Sequence, residues 1–377
     1  MLLLLLQVQN VKFQQVSVHE RRPSSSGRHT PGCNLAAIVS RLISGAYTTT
    51  RTHNNGAEIM FWQRHLSRLS NSVKVLLNSR PELLFKAGED MVPFVKVSEK
   101  SLKWDLVIRA LVNDSMGKAL PFVLKERKCG EEMSITTLVS GNLESLREIE
   151  DVNEERLKAV FDVYLHFGGY VPRVFGIQGN GARLAVVGRG RDIANAKYSD
   201  WVRLRKDLEK LRPPSTTELL LSNNGDHILE GCLTNFFVVC GKDECGEIYE
   251  QNDFDYERSV EVQTAPVSEG VLPGVIRQVI IEICLRNGIP FREVAPSWSQ
   301  HNMWREAFIT NSLRIVEHVE TILVPSSWKS MESKTSTEIR WEEKQFEVTP
   351  GRVTSIIQKE VMEKAGFEAY AVALYKD

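Results

Sequence analysis

The sequence predicts a two-domain α+β protein, and three observations carry that expectation. The chain has 377 residues, 42% apolar and 25% charged, which suffices for two globular domains with ample cores. The first half reads as strand pairs with helices segregated at their ends. From Lys197 to Phe237 the chain reads as one helix-and-hairpin unit around which the second half is organised.

In order, residues 1–44 carry Lys12, Arg21, Arg22, Arg28 and Arg41 against one acid, Glu20, with Ser24–Ser26 among them. This composition suits a disordered leader or an organelle transit peptide. A small domain is expected over 45–170. Gly45–Thr52 reads as a strand, His53–Gly56 as a turn and Ile59–Phe61 as a second strand. Trp62–Asn78 carries the helical stripe Leu66, Leu69, Val73, Leu76 and Leu77. Leu106–Val112 and Leu120–Leu124 are expected as two strands around a turn at Asn113–Gly117. Leu143–Leu165 is expected as a charged helical region broken at Val152–Arg156, and Gly168–Pro172 as the linker to a larger domain over 171–377.

In that second domain Arg183–Val187 reads as a short strand. An amphipathic helix with Trp201, Leu204, Leu208 and Leu211 follows Lys197, and Pro213-Pro214 stops it. Glu218–Ser222, a primed turn at Asn224-Gly225 and a return strand ending in Glu230-Gly231 form a hairpin. Val275–Asn287 is a helix opened by Pro273-Gly274 and closed by Gly288. Glu306–Ser312 is a strand, with Ile315, Val316 and Val319 beyond it, and Gly351–Glu368 a last helix. The acidic 241–260 stretch and 326–344 are expected as surface loops.

Composition excludes several function classes. A formal charge of −1 lacks the basic excess of a nucleic-acid surface. No apolar run approaches the ~18 residues of a spanning helix. The six cysteines (Cys33, Cys129, Cys232, Cys240, Cys245, Cys284) are scattered, which suits reduced intracellular thiols rather than a disulfide framework or a metal site. Gly188-Arg189-Gly190-Arg191 lacks the dinucleotide-binding pattern.

Four motifs remain. His65-Leu66-Ser67-Arg68-Leu69 with Ser72 forms H-x-x-R-L-x-x-S. Lys197 precedes Glu230 by 33 residues, and Asn235 and the aromatic Phe236 follow that glutamate. Gly270–Arg277 reads G-x-L-P-G-x-x-R, and Glu306–Ser312 reads E-x-F-x-T-x-S. In this order they resemble the class IV pyridoxal-phosphate (PLP) aminotransferases, which include branched-chain and D-amino-acid aminotransferases and aminodeoxychorismate lyase. The resemblance implies a fold-type IV, D-amino-acid aminotransferase-like architecture with a small and a larger domain, PLP in the cleft, and a homodimer. It implies that Lys197 forms a Schiff base with PLP and that Glu230 pairs with the pyridine nitrogen. By the same resemblance Arg68, the backbone N–H groups of Val275 and Ile276, Ser312 and Asn311 hold the phosphate, and Tyr47 lies at the substrate. Lys206 and Lys210 are the alternatives to Lys197. Where branched-chain enzymes carry a tyrosine five residues after the lysine, this chain has Val202. The expected activity is transamination of an amino acid with a keto acid, in a cytoplasmic or plastid protein with no membrane or nucleic-acid partner. An aminodeoxychorismate-type lyase and a non-catalytic PLP-fold protein are the alternatives.

Overall fold

The computed structural model describes residues 4–7, 12–15, 43–85, 104–128, 130–148, 158–241, 259–328 and 338–375. The chain divides into two compact units: Met1–Pro172 with Ala196–Arg203 and Glu368–Asp377, and Arg173–Asn195 with Leu204–Phe367. A single cut near residue 170 therefore misses two stretches, for Glu368–Asp377 also groups with the first unit. The Lys197 segment groups with the first unit, whereas the sequence placed it in the same domain as Glu230.

In the first unit, β1 (Leu4–Gln7) pairs antiparallel with β2 (Lys12–Gln15), so part of the expected disordered leader is regular. Strand β3 (Ala46–His53) leads into β4 (Glu58–Ile59). The turn between them has positive φ at Asn54, Asn55 and Gly56, conformations that Asn and Gly tolerate best. Helix α1 (Trp62–Ser79) buries Leu66, Leu69, Val73, Leu76 and Leu77, the expected stripe. The two strands expected over 106–124 are instead one helix, α2 (Trp104–Glu126). Its buried positions Val107, Ile108, Leu111, Val112, Ser115, Met116, Ala119, Leu120 and Val123 recur every three or four residues, a helical period. Asn113 and Gly117 fall on its less buried sides and make no turn.

Strand β5 (Glu132–Gly141) is followed by the short helix α3 (Leu143–Arg147) and then by a strand, β6 (Phe161–Tyr170), not by continued helix. Phe161, Val163, Leu165 and Phe167 alternate along it, the two-residue period of a strand. The expected break at Val152–Arg156 lies outside the described residues. With β16 (Tyr370–Ala371), the sheet order is β16-β4-β3-β5-β6, antiparallel throughout.

The second unit is built on a nine-stranded sheet among the described residues. It comprises β7 (Ala182–Gly188), β8 (Glu218–Ser222), β9 (Ile228–Gly231), β10 (Asn235–Gly241), β11 (Val260–Thr264), β12 (Phe291–Glu293), β13 (Trp304–Asn311), β14 (Ile315–Pro325) and β15 (Trp341–Gln345). The path β10-β13-β14-β7-β8-β9 returns to β10 through the pair Asn235↔Glu230, which closes six strands into a ring. Alternate residues Phe236, Val238 and Cys240 face one core with Leu184, Val186, Leu220, Trp304 and Ile309. Phe237 stacks on Phe308 at 4.9 Å on other positions of the same strands.

The helix after Lys197, α4 (Trp201–Glu209), buries Trp201, Val202 and Arg205, whereas Leu204 is 43% exposed. The buried face is thus rotated away from the expected stripe. The hairpin between β8 and β9 is longer than a two-residue type I′ turn, the primed turn Asn-Gly favours, which needs two positive φ values. Of its residues only Gly225 has one. The Asn224 side chain shapes the loop instead, its Oδ1 accepting the amides of Asp226 (3.0 Å) and His227 (2.8 Å). Strand β15 overlaps the end of the expected 326–344 loop, and most of the acidic 241–260 stretch falls outside the described residues. Helix α5 (Val275–Asn287) ends at Gly288 with φ 66°, and α6 (Arg352–Phe367) packs on α5 and β13.

Gly288→Ala should cost about 1 kcal/mol, because a Cβ is disfavoured at left-handed φ even where nothing crowds it. Gly366→Ala, within α6 and equally uncrowded, should instead raise stability by up to about 1 kcal/mol. Opposite shifts of the denaturant midpoint would bear this out; equal shifts would not.

Candidate active site

The predicted positions divide between the units. Tyr47, Arg68 and Lys197 belong to the first, while Glu230, Val275, Ile276, Asn311 and Ser312 belong to the second, as does the control position Lys206.

Lys197 is held through its backbone. Its carbonyl accepts the Tyr47 amide (2.9 Å), and its own amide donates to Ser72 Oγ (3.1 Å). Ser72 Oγ in turn donates to the Arg68 carbonyl one helical turn earlier (2.9 Å). Either side, Ala46 bridges Tyr198, and Ser199 bonds Gly45 through both its amide (2.9 Å) and its hydroxyl (3.1 Å). The lysine segment is thus laid along the start of β3. The lysine Nζ lies 4.6 Å from the centre of the Tyr47 ring, a cation–π placement that restrains the ammonium.

Arg68 is buried on α1 and donates from Nη2 to Thr48 Oγ1 (2.7 Å). Thr48 Oγ1 also meets His65 Nδ1 at 2.8 Å. Arginine only donates, so Thr48 accepts from Arg68 and can donate to His65, which places the histidine proton on Nε2. That nitrogen is buried without a hydrogen-bond partner. Burial, with Arg68 and Lys197 nearby, holds the His65 pKa well below its usual range. The sequence motif contained His65 and Ser72, but only the fold shows their work: one supports Thr48 and Arg68, the other ties α1 to Lys197.

In the second unit Glu230 is the penultimate residue of β9, almost fully buried. Its Oε1 accepts Arg191 Nε (2.9 Å) and Nη2 (2.5 Å). Its Oε2 accepts the Leu272 amide (2.9 Å) and, more distantly, Asn235 Nδ2 (3.4 Å). Asn235 also donates to the Leu272 carbonyl at 2.9 Å. Two residues beyond Leu272 stands Gly274, which brings no side-chain cap to the start of α5. A Cβ there would lie 2.1 Å from Asn235 Oδ1, so the close approach requires glycine. Glu230, Asn235 and the helix start carrying Val275 and Ile276 are therefore one connected piece. It offers a carboxylate and, three residues beyond the Leu272 amide that this carboxylate accepts, a helix N-terminus suited to an anion.

Asn311 closes the β13–β14 turn, its Oδ1 accepting the amides of Leu313 (3.0 Å) and Arg314 (2.8 Å), with Ser312 half-buried beside it. Arg191 is the residue that sequence reasoning passed over. Its signal was an arginine in a glycine run at a strand end, and its partner lies 39 residues away. A cavity of ≈ 410 Å³ lined by Asn223, Asn224, His227, Leu229 and Glu269 includes none of the predicted positions. Burial pushes the thiols of Cys240 and Cys284 up to about 12 and that of Cys232 higher, so these three are packing groups rather than nucleophiles. Among the described residues no cluster could hold a metal ion, and no helix is long and apolar enough to cross a membrane.

The model of the family described as amino-transferase class IV matches residues 189–322. Over this segment the chain is similar to that family. The segment contains Lys197, Glu230, Val275, Ile276, Asn311 and Ser312. The whole chain is similar to solved structures of the same kind. A PLP-bound hypothetical aminotransferase from Mycobacterium tuberculosis is 13% identical, with TM-score 0.53, covering 96% of this chain and 98% of that one. A branched-chain aminotransferase from Thermoproteus uzoniensis, solved with norvaline, is 14% identical, with TM-score 0.53 and coverage of 91% and 95%. A structure from Thermotoga maritima, described as a branched-chain amino acid aminotransferase by assignment, is 15% identical, with TM-score 0.51 and coverage of 96% of both chains. A search of curated proteins finds no match. The fold of these solved structures thus extends over nearly the whole chain, well beyond the matched segment.

Two buried histidines make stability pH-dependent. Burial lowers His166 to about 4 and His65 well below 6.5, so both are neutral in the fold. Above pH ~6.5 they are neutral in the unfolded chain as well and contribute no slope. As pH falls below ~6.5 the unfolded chain gains protons that the fold refuses, and stability is lost. His166→Gln should flatten the fall between pH 6.5 and 4 by up to about 1.4 kcal/mol per pH unit. Urea midpoints across that range would measure it, and an unchanged slope would show that His166 titrates normally.

Proposed function

We propose that the chain is a PLP-dependent transaminase that moves an amino group between an amino acid and a 2-keto acid, and that it works as a homodimer. The observation that carries this is the class IV match over 189–322, because that one segment holds the lysine, the glutamate, the helix start and the serine together. When bound, PLP would supply an electron-accepting ring conjugated to the substrate's α-carbon.

The residues present fit that cofactor by their chemistry. Lys197 is a primary amine whose backbone is clamped at two points and whose ammonium is steadied by Tyr47. It would hold the cofactor through its amine, and the free amine would serve as the base that moves a proton at the substrate α-carbon. Arg68 presents a planar guanidinium, suited to a phosphate. The Val275 and Ile276 amides at the start of α5 suit an anion of the same kind, with Ser312 supplying a hydroxyl. Asn311 shapes the turn that presents Ser312. Glu230 is the partner of the ring nitrogen. Val202, buried and without a hydroxyl, cannot make the contact that a tyrosine there would make.

Lys197→Ala should abolish the near-visible, borohydride-sensitive absorbance of protein reconstituted with PLP while leaving the fold intact, since the clamp on residue 197 uses only backbone atoms. Lys206→Ala should keep the absorbance. The reverse pattern would sink the assignment.

Arg68→Ala should weaken PLP binding by about 1.5–3 kcal/mol, one charge-assisted contact. An unchanged titration curve would remove Arg68 from the phosphate site.

A further inference from the structure

Glu230 enters the proposed chemistry through its carboxylate, and that carboxylate is already saturated within its own unit. Two donors of Arg191 reach Oε1, and the Leu272 amide and Asn235 Nδ2 reach Oε2. A carboxylate offers about four lone-pair positions, and these four N–H groups fill them. Both charged side chains are withdrawn from water, Arg191 at 4% and Glu230 at 2% exposure.

The four contacts are unequal. Arg191 brings a full positive charge at the shortest distance, with both donors on one oxygen instead of one on each. Leu272 donates from the backbone and cannot swing away alone. Asn235 makes the longest contact, and its amide has a better acceptor in the Leu272 carbonyl at 2.9 Å. A further donor can therefore reach Oε2 by displacing Asn235. It then meets a carboxylate whose charge the guanidinium has already matched, and if it is itself cationic it is repelled by Arg191 in a site where burial strengthens that repulsion.

We propose that Arg191 is a positioning residue that restrains Glu230, fixing its carboxylate against Leu272 and Asn235 and opposing a protonated ring nitrogen there. The inference rests on the PLP reading above and adds to it: the strength of the ring contact is set by the Arg191–Glu230 pair, not by the glutamate alone. Removing the guanidinium leaves a buried, unmatched carboxylate in the protein without cofactor. A cationic ring nitrogen would then relieve that state, so PLP binding should tighten.

The test is a PLP titration followed by tryptophan fluorescence, with thermal unfolding alongside, on wild type, Arg191→Met, Arg191→Lys, Glu230→Gln and the Arg191→Met/Glu230→Gln double variant. Arg191→Met should bind PLP about tenfold more tightly than wild type, the scale of one charge-assisted contact. It should melt lower without PLP and recover with it. The gain should vanish in the Glu230→Gln background and be absent in Arg191→Lys, which keeps the charge. Wild type that binds no PLP would overturn the cofactor reading itself. Wild type that binds, with Arg191→Met equal or weaker, would overturn only the restraint, as would an Arg191→Met protein that stays unfolded even with saturating PLP.

Discussion

The second unit depends on one buried carboxylate. The backbone of Glu230 pairs with Asn235 to close the six-stranded ring, and its side chain collects Arg191, Leu272 and Asn235. A buried charge must be matched or it destabilises the fold, and breaking such a pair typically costs ~3–5 kcal/mol. The strand closure, the segment after β7 and the approach to α5 are therefore all referenced to the same two oxygens. Displacing any one of them exposes the carboxylate's remaining contacts to rearrangement.

The first unit solves its positioning problem with hydroxyls. Ser72 and Thr48 each bridge a donor and an acceptor, because a hydroxyl donates once and accepts as well. Ser72 links the α1 backbone to the Lys197 amide, and Thr48 links Arg68 to His65. Neither hydroxyl carries charge, so neither needs a buried counter-ion. The cost falls on His65, kept neutral with one ring nitrogen unmatched.

What was legible in the sequence follows from how local each signal is. Helix α5 with its Gly288 cap, α1 with its stripe, and β8 ahead of its turn were readable, because each is specified by residues within a few positions of one another. Helix α2 was misread because Asn113 and Gly117 mimic a turn, although its apolar pairs repeat at helical spacing. Strand β6 was hidden behind the charged stretch preceding it, despite the alternation of Phe161, Val163, Leu165 and Phe167. The motifs named most of the candidate site residues. They could not show that Lys197 groups with the first unit, or that Arg191 faces Glu230, since both depend on contacts between residues far apart in the chain.

The start of α5 shows how tightly such contacts constrain a motif. Proline and glycine before a helix usually mean only a convenient entry. Here the glycine has a second reason, for a Cβ at 274 would strike Asn235 Oδ1. Asn235 cannot withdraw without losing its bond to the Leu272 carbonyl and its contact with Glu230. The Gly274 position and the asparagine five residues after the glutamate are thus two halves of one steric requirement, although 39 residues separate them. A larger residue at 274 would push the first turn of α5 away from Glu230. The spacing of the motifs along the chain is the one-dimensional trace of that packing.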